Sequence, residues 1–168
     1  QVTSTCWGPG AEWMTVRTAD LLGAADTGAA AFDPPAGLVA DLWRRHGRRW
    51  RVPRSHRVWE CTIAAVLEQK VTGREAWGAW VALAREGEPA PGPAPGDLLV
   101  FPDHAVLRAV PTWVWRRNGV DRSRSDTIMR LTRLRHVLDR LPGESAAEAH
   151  RLLTAIPGVG AWTAAEVA

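Results

Sequence analysis

Residues 152–168 read Leu152-Leu-Thr-Ala-Ile-Pro-Gly-Val-Gly-Ala-Trp-Thr-Ala-Ala-Glu-Val-Ala168, and this stretch decides the fold. The alanine-rich run before it predicts a helix, Pro157-Gly158-Val159-Gly160 must turn, and Ala161 onward predicts a second helix. Two glycines one residue apart allow positive φ, and without Cβ atoms they let another molecule come close to the backbone. The amides of Val159, Gly160 and Ala161 open the second helix. No intrahelical carbonyl accepts from them there, and the helix dipole adds partial positive charge. Such a position suits an anion, phosphate above all. A bare Gly-x-Gly between helices is equally an ordinary bundle turn, so the rest of the chain must carry the decision.

Upstream, the pattern is helical for more than a hundred residues. Asp121 to Leu141 predicts one long amphipathic helix, with Ile128, Leu131, Leu134, Leu138 and Leu141 on one face and Pro142-Gly143 as its stop. Glu144 to Ile156 then leads into the turn. Short helices are predicted at Asp103 to Val110 and Thr112 to Arg117, and Glu86 to Gly96 is a Pro/Gly loop. Val58 to Val71, capped by Ser55, is apolar on nearly every side and should be the central helix. It runs into Glu68-Gln-Lys-Val-Thr-Gly73, where Thr72 and Glu75 have the spacing of a capping box for a helix to about Arg85. The corner between these helices displays Gln69 and Lys70, either as plain junction residues or as contacts to a partner.

The first third is less regular. Leu38 to His46 predicts a helix that ends in Arg44-Arg-His-Gly-Arg-Arg-Trp-Arg51, either a phosphate-contacting patch or a solvated helix end. Val2 to Trp7 predicts a strand ended by Gly8-Pro9-Gly10, and Ala11 to Leu22 is either a short helix or a second strand. Thr27 to Pro35 is a loop.

The 168 residues suffice for one domain with a core, and 46% hydrophobic with 23% charged residues is ordinary for a globular protein. No apolar run reaches membrane-spanning length and no signal-peptide pattern opens the chain, so a cytoplasmic, nucleoid-associated protein without membrane contact is expected. Cys6 and Cys61 form no CxxC, and no histidines pair at ligand spacing, so neither metal nor cofactor is expected. The net charge of +3 is uneven. Residues 1–40 hold one arginine against four carboxylates, and the remainder holds 20 basic against 14 acidic residues. Twenty of the 21 basic residues are arginine, with Lys70 the single lysine. A basic body suits a polyanion, although solvated helix faces are often this basic. A start at Gln1 and a stop inside a helix at Ala168 read as an internal piece of a longer protein.

The string Leu-x-x-Ile-Pro-Gly-Val-Gly-x-Trp-Thr-Ala resembles the helix-hairpin-helix of the DNA base-excision glycosylase superfamily, nearest the bacterial DNA-3-methyladenine glycosylase II type. Val66 to Thr72 and Gly119 to Ile128 resemble two further motifs of that family, in the same order. The resemblance implies a mostly α fold, a helical glycosylase core over residues 36–168, and a remnant of a small β subdomain over residues 1–35. It implies a monofunctional glycosylase that flips an alkylated purine of the 3-methyladenine type out of double-stranded DNA and hydrolyses its N-glycosidic bond. Gly158, Val159, Gly160, Ala161 and the Thr163 hydroxyl would hold the DNA backbone, Gln69 would lead the turn pressed into the minor groove, and Trp162 would line the base pocket. Lys70 falls at the wedge position, where the best-known relatives have an apolar side chain.

Bifunctional members carry a nucleophilic lysine where this chain has Trp162, so water would attack instead. The carboxylate that assists is, in relatives, an aspartate after the second hairpin helix. It would lie beyond Ala168, so no catalytic residue is assigned within the chain, Glu166 does not match its position, and residues 1–168 alone are expected to be inactive. A monomer is expected. Two other classes stay open: a non-catalytic helix-hairpin-helix DNA-binding module, which needs only the hairpin, and a helical protein–protein module, which needs only the bundle.

Overall fold

The computed structural model describes residues 1–93, 96 and 98–168, and all their side chains except Ala29, Ala30 and Arg48. The chain forms two compact units, Gln1–His56 and Arg57–Ala168, so the division falls at 56/57 and not at the expected 35/36. Among the described residues, the extended pairing is limited to one isolated antiparallel bridge, Pro89 with Leu99. The fold is mostly helical, and none of the helices among the described residues is long and apolar enough to cross a membrane.

The N-terminal unit holds α1 (Ala11–Leu21), α2 (Gly28–Ala31) and α3 (Leu38–His46). The β-subdomain remnant expected at residues 1–35 is corrected: Val2–Trp7 has no ladder partner, and Ala11–Leu21 is helical. A strand needs a neighbour for its N–H and C=O groups, and β-branched residues alone do not supply one. Polar ties organise this unit. His56 Nε2 lies 2.8 Å from Asp20 Oδ2, the Val52 amide donates to Asp26 Oδ2 at 2.9 Å, and the Arg54 amide donates to the Asp20 carbonyl at 2.9 Å. Phe32 meets Trp43 edge-on at 4.8 Å. Arg44 pairs with Asp41 on its own helix, which fits a solvated helix end.

The C-terminal unit contains the apolar core. Its helices are α4 (Val58–Leu67), α5 (Gly73–Ala84), α6 (His104–Ala109), α7 (Thr112–Arg117), α8 (Arg122–Leu131), α9 (Arg135–Leu138), α10 (Ala146–Thr154) and α11 (Ala161–Ala165). Helix α4 is central, as its composition requires: Thr62, Ile63, Ala65, Val66 and Leu67 are all buried. It ends at Leu67 rather than Val71, and its N-cap position is Arg57 rather than Ser55. The core around it takes Leu83 from α5, Leu107 from α6, Trp115 from α7, Ile128 and Leu131 from α8, and Leu153 from α10. Burying each such side chain contributes roughly 1.5–3 kcal/mol.

The long helix expected over 121–141 breaks after Leu131. Thr132 Oγ1 donates to the Met129 carbonyl at 2.8 Å, and Arg108 Nη2 takes the Thr132 carbonyl at 2.5 Å. A carbonyl drawn to a side chain no longer serves the i+4 amide, so periodicity continued where hydrogen bonding stopped. The Pro/Gly loop expected at 86–96 falls partly outside the described residues, since Ala94 and Pro95 are not among them.

Candidate nucleic-acid interface

The turn between α10 and α11 is built by two glycines with different reasons to be glycine. Gly158 has φ +96, and a Cβ there would stand 2.0 Å from Thr127 Oγ1 on α8. Its missing side chain serves internal packing. Gly160, at the N-cap of α11, has an ordinary φ of −88, and a Cβ would meet nothing within 4 Å. Only Gly160 therefore faces open space.

The amides divide in the same way. Val159 was expected to offer its N–H outward, but that N–H donates to the Ile156 carbonyl at 2.9 Å and closes the turn. Among the described residues, the N–H groups of Gly160, Ala161 and Trp162 have no acceptor in the chain, and all three residues are exposed. Trp162 is 51% exposed beside them. Thr163 differs from expectation: it is 2% exposed, and its hydroxyl accepts from Gln69 instead of facing outward. A buried hydroxyl cannot grip an external phosphate, so its part is internal.

The corner between α4 and α5 lies against this turn. Gln69 Nε2 donates to the Gly158 carbonyl and to Thr163 Oγ1, both at 2.9 Å. The next residue, Lys70, is exposed and has φ +56, one of two described non-glycine residues with positive φ. The chain reverses there, and the predicted capping box follows: Thr72 accepts from the Glu75 amide while Glu75 Oε2 accepts from the Thr72 amide at 2.8 Å. Those Thr72 hydrogen bonds hold the Glu75 carboxyl below its ordinary pKa. A lysine in left-handed conformation costs about 1–2 kcal/mol, of which the greater freedom of an unfolded glycine would return about half on replacement. Lys70→Gly is thus expected to raise the urea midpoint slightly, by about 0.5 kcal/mol of stability. A fall would show that the lysine side chain itself holds the corner.

Two arginines of α8 complete the arrangement, and neither stood out in the sequence. Arg124 is 4% exposed. Its guanidinium donates to the Leu67 carbonyl at the end of α4 (2.8 Å), to the Gly119 carbonyl (2.7 Å) and to Asp121 Oδ2 (2.7 Å). Burial pushes the Asp121 carboxyl up, but hydrogen bonds from the Arg124 amide and guanidinium, with the guanidinium charge, hold it below its usual value. The available signal was spacing: Arg124, Thr127, Ile128 and Leu131 fall at i, i+3, i+4 and i+7, which places an arginine inside the apolar stripe. Arg130, exposed, reaches the Pro157 carbonyl at 3.4 Å and sets a cation beside the turn.

Elsewhere in this unit, Ala82, Arg85, Trp113, Arg117 and their neighbours line a shallow cleft of about 140 Å³ at the C-terminal ends of α5 and α7, and Trp162 is not among its lining residues. The structure thus brings together Gln69, Lys70, Gly158, Gly160, Ala161 and Trp162, and adds Arg124, Thr127 and Arg130.

No protein-family model matches the chain, and no curated protein matches it in sequence. Among solved structures it is similar to the 3-methyladenine DNA-glycosylase from Archaeoglobus fulgidus, with a TM-score of 0.74 and 18% identity. The similarity covers 99% of this chain and 58% of that one. At such identity it establishes the fold, the mostly helical fold of that glycosylase, over little more than half the other chain's length.

Proposed function

We propose that this chain is the DNA-engaging core of a monofunctional DNA glycosylase that removes alkylated purines of the 3-methyladenine type from double-stranded DNA. The observation that carries the reading is the exposed run of acceptor-free amides at Gly160, Ala161 and Trp162, with open space at Gly160 and a half-exposed indole beside it. Likeness in fold to a glycosylase whose name specifies 3-methyladenine supports the substrate class.

In this reading the amides hold a phosphate without reading sequence, as a repair enzyme must before it searches for damage. Arg130 at the Pro157 carbonyl and Lys70 at the adjoining corner add charge. An alkylated base rotated out of the stack is cationic, and the face of Trp162 attracts it by cation–π contact worth about 1–2 kcal/mol once water is excluded. Indole is no nucleophile, so water attacks the sugar carbon as the glycosidic C–N bond breaks; the base departs neutral with the bonding electrons, and the attacking water gives its proton to solvent. The carboxylate that would stabilise the oxocarbenium-like transition state is not assigned to any of residues 1–168.

The other reading is a non-catalytic DNA-binding module. Trp162 favours the enzyme, because backbone binding alone gives no use to a half-exposed indole at the anion site. Binding to duplexes with and without a central abasic-site analogue separates the two. The expected result is salt-dependent affinity for both duplexes, as counterion release requires, with the abasic duplex bound about fivefold or more tightly. Trp162→Ala should reduce that preference and leave affinity for intact duplex unchanged. Equal affinity for both duplexes would favour the module, and no salt-dependent binding would exclude both readings.

A further inference from the structure

We infer that Gln69 is a positioning residue: it fastens the Lys70 corner to the hairpin turn, and with α8 makes the two one rigid, two-pronged unit. The inference rests on the DNA reading only for what the prongs grip. Three ties carry it. The two acceptors of Gln69 Nε2, the Gly158 carbonyl and Thr163 Oγ1, lie 89 and 94 residues away in sequence and belong to the other prong. An amide nitrogen has two hydrogens, so with both engaged it has none to offer a base or phosphate. Gln69 therefore cannot probe DNA through its amide nitrogen while the tie holds.

Helix α8 provides the other two ties. Arg124 grips the Leu67 carbonyl, where α4 gives way to the corner. One turn further along α8, Thr127 walls the space that a side chain at Gly158 would need. The path from Leu67 through Arg124, Thr127, Gly158 and Gln69 closes on the chain where it began. Among the described residues no buried side-chain polar atom is without a partner, and hydrogen bonds satisfied in this way hold the residues they join in place. Lys70, directly after Gln69, is held in left-handed conformation at the apex. Its place relative to the free amides of Gly160–Trp162 is thus set by Gln69.

A double-mutant cycle on duplex-DNA affinity tests this, with Lys70→Met, Gln69→Leu and both together. Lys70→Met alone is expected to weaken binding by about fivefold. In the Gln69→Leu background its effect should shrink to about twofold or less, because an untethered lysine no longer meets its phosphate. Hydrogen exchange of the DNA-free protein supplies the second readout: Gln69→Leu should speed exchange about tenfold at the hydrogen-bonded amides of Thr72 in the corner and of Val159 and Ala164 in the hairpin, with the middle of α4 unchanged. Thr163→Val, which removes one acceptor without touching the corner, should give the same pattern more weakly and serves if Gln69→Leu does not fold. Additive affinities, or exchange unchanged at both segments, would overturn the inference. If the wild-type chain fails to bind duplex DNA, the function reading falls and the exchange pattern alone decides whether the tie exists.

Discussion

Gly158→Ala is expected to destabilise the protein by about 2–4 kcal/mol, whereas Gly160→Asp, two residues on, should leave stability unchanged or slightly raised and abolish DNA binding. At Gly158 the new methyl must displace Thr127, whose Oγ1 would stand 2.0 Å away while it donates to the Ser123 carbonyl. Thr127 is 1% exposed and has no free space to turn into. Overpacking of this kind costs about 1–3 kcal/mol, and a non-glycine residue at φ +96 adds about 1 or more. At Gly160 the backbone is already extended and the space open. Aspartate is among the best N-cap residues, so the carboxylate should accept from the amides of α11. In doing so it occupies the place proposed for the phosphate with a like charge, and duplex affinity should fall by about a hundredfold or more. Urea unfolding and fluorescence anisotropy on the two variants check this. Full affinity in Gly160→Asp would remove the hairpin amides from the interface, and an unperturbed Gly158→Ala would mean that Thr127 yields.

The second large effect is expected at Arg124. Arg124→Met keeps much of the side chain's volume but leaves the Leu67 and Gly119 carbonyls without their donors, and Asp121 without its cation. Removing one partner from a buried, hydrogen-bonded charge typically costs about 3–5 kcal/mol. Asp121 is half exposed and can regain water, so about 3 kcal/mol is expected here. Arg124→Lys should recover only part, since one ammonium cannot span three acceptors spread over a planar fork. The pH dependence has a definite sign. The Asp121 carboxyl is depressed in the folded state, so its contribution is present above the unfolded value of about 3.9 and is lost as pH falls through the lower folded value. The stability gap between wild type and Arg124→Met should therefore be constant near neutrality and narrow only in acid below about pH 4. A gap under about 1 kcal/mol at neutral pH would show that water already satisfies those carbonyls.

The helices were legible because apolar periodicity and capping are local. The Thr72–Glu75 box, the helix starts at Asp103 and Asp121, and the turn at Pro157–Gly160 each need only residues a few positions apart, and each forms. The central place of α4 was legible too, since a helix apolar on nearly all sides has nowhere else to go. Sequence also brought Gln69 and the hairpin to notice, though as separate features. What it could not decide was which side chains those elements turn inward. Val2–Trp7 has strand-forming residues and no strand, because pairing depends on a neighbour. The helix predicted over 121–141 breaks at Thr132, because Arg108 from another helix takes a carbonyl there. Thr163 and the amide of Val159 look outward in sequence but are held inside by Gln69 and Ile156. Arg124 looks like any surface arginine until α8 packs against the end of α4. Local chemistry determined where the chain turns; only packing determined which of the turning residues remain free to bind.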